Sequence, residues 1–131
     1  ETADGHLVLR HDWSAGMQAG IDEQHVPTLS AFRAAPLYGR YTPLAFADLL
    51  TLMETYPDVY IITDSKGPRA DLVQKEFLAI LTEAEERGST ALLERFIVQL
   101  YSPEMYETVH DIYPFQNYIL TLYQTEFAGE A

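Results

Sequence analysis

The chain has 131 residues, 47% of them hydrophobic and 21% charged, which suits one soluble globular domain with a real core. Eight basic against twenty acidic residues give a net charge of −12, which repels nucleic-acid phosphates and anionic lipid head groups and argues against nucleic-acid binding. No apolar run approaches the length of a membrane span, and the lack of cysteine excludes disulfides and thiolate metal sites.

In chain order, Asp4-Gly5 reads as a turn into a first strand, LVLRHDW (7–13). Alternation would put Leu7, Leu9 and His11 on one face of that strand, with Val8, Arg10 and Asp12 on the other. It breaks off at the His11-Asp12 pair beside the only tryptophan, Trp13. Residues 12–42 form a long connection with one turn of helix at Leu29 to Arg33. Loops of that length inside α/β domains are functional lids or disordered segments. Thr42-Pro43 has the form of a helix N-cap and first position, with Phe46, Leu49, Leu50 and Met53 at helical spacing before Pro57. A second apolar run, VYIITDSK (59–66), follows.

The next helix spans about Arg69 to Arg87. Val73, Phe77, Ile80, Leu81 and Ala84 form its apolar stripe, and Gly88 stands at the C-terminal cap. RFIVQLYS (95–102) is a third run. Ser102-Pro103-Glu104 then opens a helix that reaches about Tyr113 before Pro114 stops it, and YILTLYQT (118–125) is the last run. Strands alternating with helices predict an α/β fold of parallel βα repeats. Four strands and three helices amount to about half of a (β/α)8 TIM-type barrel, which needs roughly 250 residues; a small open doubly wound sheet is the alternative. No GxGxxG or GxxxxGK(S/T) phosphate loop is present.

Each run ends in polar side chains: His11 and Asp12; Asp64 and Lys66; Gln99 and Tyr101; Thr121, Tyr123 and Gln124. Ligands of parallel α/β proteins bind over the carboxyl ends of the strands, where such tips converge. Asp64 and Lys66 share one face by the period-2 rule. An aspartate can hold a divalent cation while the ammonium binds an anionic oxygen. The plainer readings are that His11 and Asp12 are turn residues, and that Asp64 and Lys66 form a surface ion pair in a helix-capping loop. His6, His25 and His110 have no metal-ligand spacing to one another; they read as a strand-start residue, a loop residue and a residue of the third helix among polar neighbours.

The ordered set TADG, HLVLRHDW, PTL (27–29) and IITDSK (61–66) resembles the T-x-D-G, H-D, P-T-L and (E/D)-x-K motifs of glycerophosphodiester phosphodiesterases. The related bacterial branch is described as phosphatidylinositol-specific phospholipase C-like. GRYTPL and VQLYSPEMY also look like that branch, so the resemblance runs over essentially the whole chain. It implies a (β/α)8 barrel that hydrolyses lipid-derived phosphodiesters with Ca²⁺ or Mg²⁺. His11 would then be a catalytic acid or base, Asp64 a metal ligand and Lys66 a phosphate-binding cation. Asp12 would orient His11, with Trp13, Gln99, Tyr101 and Tyr123 lining the site.

The family's first histidine and its Glu-x-Asp metal pair precede T-x-D-G, and neither occurs here. The chain is therefore expected to be a single partial barrel domain, 1–131, lacking the family's N-terminal and C-terminal strands. Alone it should be inert, and should self-associate through open sheet edges or bind hydrophobic dyes. A non-catalytic α/β interaction module is the competing expectation.

Overall fold

Three of the four apolar runs become strands. The computed structural model describes residues 1–65 and 69–121. The chain divides into two compact units, Glu1–Leu52 and Met53–Ala131. The elements follow in the order α1 (Leu29–Ala34), α2 (Phe46–Thr55), β1 (Ile61–Thr63), α3 (Ala70–Arg87), β2 (Phe96–Leu100), α4 (Pro103–Ile112) and β3 (Asn117–Leu120). A 3-10 helix, Thr90–Arg95, leads directly into β2.

In the first unit LVLRHDW is not a strand. Val8 makes only an isolated antiparallel bridge to Ala45, with Leu9 N donating to Leu44 O (2.9 Å) and Phe46 N to Leu7 O (2.9 Å). The partner segment is too short to extend the ladder: Pro43 has no N–H to give, and Phe46 already begins α2. The same pairing moves the start of α2 three residues past Pro43. Ala45 N donates to the Asp48 carboxylate (2.9 Å), which takes the capping role expected of Thr42.

The 12–42 connection is held by turns. Its one helix, α1, is capped by Thr28, whose hydroxyl accepts from Ala31 N (3.3 Å). Gly16, Gly20 and Gly39 adopt positive φ, and so does Tyr38. The T-x-D-G segment is also a closed turn. Buried Thr2 donates to Asp4 (2.6 Å) and accepts from His6 N (3.0 Å), and Asp4 accepts from Leu29 N (2.9 Å). Thr2 thereby draws the Asp4 carboxyl below its ordinary range.

The second unit carries the sheet. Its strands lie in the order β1-β2-β3, all parallel, with Ile62 opposite Ile97 and Gln99 opposite Ile119. This open three-stranded parallel sheet, alternating with helices, is the α/β fold the sequence predicts. Phe96, Val98 and Leu100 face the core, where Phe115 packs against both Phe96 (6.3 Å between centroids) and Phe77 of α3 (5.8 Å). The other face is open: Ile62 is 57% and Ile119 43% exposed.

Local signals set α3 and α4. Gly88 caps α3 at φ 70°. The Ser102 hydroxyl accepts from Met105 N (3.1 Å) ahead of Pro103 in α4. Arg95, at the end of the 3-10 helix, donates to the carbonyls of Met53 (2.5 Å), Tyr56 (3.0 Å) and Val59 (2.9 Å). Among the described residues no helix is long and apolar enough to cross a membrane.

Candidate functional site

The candidate residues fall in both units, and each group is built differently. In the first unit they sit on a tight turn. Asp12 accepts from Ser14 N (2.8 Å) and from the Ser14 hydroxyl through one oxygen, and pairs with His11 Nδ1 (2.8 Å) through the other. The two Ser14 bonds, and then the His11 ring, hold the Asp12 carboxyl well below the ordinary carboxylate range. A carboxylate fixed in this way holds a proton on Nδ1 and leaves Nε2 as the basic nitrogen of the ring. His11 is 60% exposed, so the pair meets solvent. Asp12 is both a turn residue and the partner of the His11 ring.

Trp13 is half-buried. Its ring meets Phe32 edge-on (6.3 Å) and lies beneath the Arg10 guanidinium (5.0 Å), so it anchors the turn. A second pair, His25 Nδ1 with Asp22, makes a contact of the same length (2.8 Å). The His25 ring lowers the Asp22 carboxyl, with the amides of Gln24 and His25 adding to it. This likeness was not legible in the sequence, because the spacing of the two pairs differs.

In the second unit the site lies at the carboxyl ends of β1 and β2. Buried Ser65 donates to Glu76 of α3 (2.7 Å), which fixes the chain just after Asp64. Asp64 is exposed and accepts a hydrogen bond from the Tyr101 hydroxyl, 37 residues on. Gln99 N donates to the Thr63 hydroxyl (3.3 Å), and its amide donates to Thr121 (2.8 Å). Asp64, Tyr101, Gln99 and Thr121 thus gather at neighbouring strand ends. Lys66 and Tyr123 lie outside the described residues.

A divalent cation is a demanding occupant for this group. Ca²⁺ takes about six to eight oxygen ligands and Mg²⁺ about six. Among the described residues no three His, Cys, Asp or Glu side chains come together, so Asp64 with its tyrosine partner does not by itself make a metal site. A surface depression of about 570 Å³ between α3 and α4, lined by Asp71, Gln74, Leu78 and Asp111 among others, contains none of the candidate residues. In comparison with known proteins, no family model matches the chain and no curated protein is significantly similar to it.

Proposed function

We propose that this chain supplies part of the active site of a phosphoric diester hydrolase. The enzyme would belong with the glycerophosphodiester phosphodiesterases and phosphatidylinositol-specific phospholipase C-like enzymes, act on lipid-derived diesters and be built on a (β/α)8 barrel. The observation that carries this reading is Asp64 at the tip of β1 bonded to Tyr101 just beyond the tip of β2. Parallel α/β folds assemble their chemistry at that end of the sheet. The open sheet face, with Ile62 and Ile119 exposed, supports the barrel, because parallel sheets are covered on both faces and a barrel fills its interior with such side chains.

In this reading His11 acts through Nε2. It protonates the departing alcohol oxygen, or takes the proton of the attacking hydroxyl, while Asp12 stabilises the imidazolium that forms. Asp64 would be the metal-ligating carboxylate of the proposal, and Tyr101 donates a hydrogen bond to it. Lys66, next but one in the chain, is the phosphate-binding cation of the proposal.

The test is hydrolysis of glycerophosphodiester, phosphoinositide and nucleotide diester substrates by the protein that carries this chain. His11→Ala should lower turnover by at least about a hundredfold with the circular dichroism unchanged. Unchanged turnover would remove His11 from the chemistry. A preference for the nucleotide diester would overturn the lipid-derived substrate class.

A further inference from the structure

Arg10 is the most deeply buried charge beside the His11 turn, its side chain only 2% exposed, whereas His11 is 60% and Asp12 46% exposed. Ser14 holds Asp12 within the turn, so the place of this exposed pair depends on what holds the turn itself. A buried guanidinium is retained only where its donors are used. Arg10 Nε donates to Gln18 Oε1 (3.0 Å), and Nη2 donates to the carbonyl of Ser14 (3.1 Å). Trp13 lies under its plane. Gln18, 4% exposed, donates in turn to the carbonyls of Phe32 (3.1 Å) and Ala35 (2.6 Å) at the C-terminal end of α1. A continuous polar chain therefore runs from α1 through Gln18 and Arg10 to the turn that carries His11.

One atom brings this clamp close to the pair itself. Arg10 Nη1 is buried, makes no hydrogen bond among the described residues, and stands 4.0 Å from Asp12 Oδ1. That separation is within ion-pair distance of the carboxylate that holds the histidine.

We propose that Arg10 is the positioning residue of the His11–Asp12 pair, fixing the turn so that Asp12 keeps the Nδ1 proton and Nε2 does the exchange. The acid/base purpose of that arrangement rests on the proposed hydrolase reading; the positioning itself does not. His25 with Asp22 is an internal reference, since the same 2.8 Å contact is made within a turn of its own.

The experiment is nitrogen NMR of the chain with ¹⁵N-labelled imidazoles at about pH 8.5, where ordinary histidines are neutral. Arg10→Met keeps an apolar stem without the fork; Arg10→Lys keeps the charge without it. The wild-type chain should show His11 in its Nδ1–H form. Both variants should lose that form to the Nε2–H tautomer, with the His25 signals unmoved. If Arg10→Met unfolds the first unit, shown by loss of the Trp13 indole signal, Arg10→Lys carries the test. Retention of the Nδ1–H form in a folded variant, or its absence from the wild type, overturns the proposal. In diester hydrolysis Arg10→Lys should lose about a hundredfold in kcat with KM unchanged. The tautomer shift in the chain, without diester hydrolysis by the wild-type protein that carries it, would support the clamp and overturn the hydrolase reading.

Discussion

The two units hold their candidate residues by opposite means. In Glu1–Leu52 regular structure is sparse, and side chains do the positioning: Gln18 ties α1 to Arg10, Arg10 ties the His11 turn, and Arg33 grips Asp48 with two bonds (2.9 and 3.0 Å). In Met53–Ala131 the backbone does it, through a parallel ladder with Phe96, Val98 and Leu100 buried beneath. Asp64 is placed because β1 ends there. His11 is placed because several polar groups agree on where it should be. The second unit should be sensitive to loss of apolar volume under the strands, and the first to loss of single hydrogen bonds.

The largest expected effect tests the ladder-built unit. Phe96→Ala opens a cavity beneath the sheet, where Phe96 is 1% exposed, and should cost about 4 kcal/mol in denaturant unfolding followed by circular dichroism. A loss under about 1 kcal/mol would mean that this core does not hold the strands. Next comes the first unit. Gln18→Leu leaves two carbonyls and one guanidinium N–H without their partner, and should cost about 3 kcal/mol, read as faster amide exchange confined to the first unit. Equal acceleration across both units would erase the contrast drawn above.

The smallest effect concerns a polar clamp in the second unit. Arg87 (2.8 and 3.1 Å) and Ser89 (2.7 Å) bind Glu54 and push its carboxyl down to about 2 from the ordinary 4.5. Because the folded value is the lower one, the stabilisation is complete above pH 4.5 and is lost as pH falls toward 2. Thermal unfolding across that window should show a shallower acid decline in Glu54→Gln than in the parent. Parallel declines would assign the acid sensitivity to other carboxylates.

Much of the second unit was legible because its signals are local. Gly88, Ser102-Pro103 and the stripe Val73, Phe77, Ile80 and Ala84 act within a few residues of themselves, and α3 and α4 lie where they predict. LVLRHDW misled because strand character needs a partner: with Pro43 on one side and the start of α2 on the other, only Val8 pairs. Thr42-Pro43 misled for the same reason, since Leu44 and Ala45 were taken up by that bridge. The 3-10 helix Thr90–Arg95 carries no periodic stripe to announce it. Of the site, His11 and Asp12 stand on a turn and not at a strand end, whereas the polar residues at the ends of β1 and β2 were readable. The meeting of Tyr101 with Asp64 across 37 residues was not, nor was the burial of Arg10, because both depend on packing remote in sequence.

Arg95 bears on the order in which the second unit assembles. The carbonyls it binds lie 36 to 42 residues earlier, at the end of α2 and on the approach to β1. A helix end closed by its own glycine or asparagine can form as soon as the helix does. The end of α2 instead borrows its cap from the residue just ahead of β2, so it cannot be finished until α3 has brought the chain back. Closure of that helix end therefore waits on the docking of β2, and a single guanidinium couples the two.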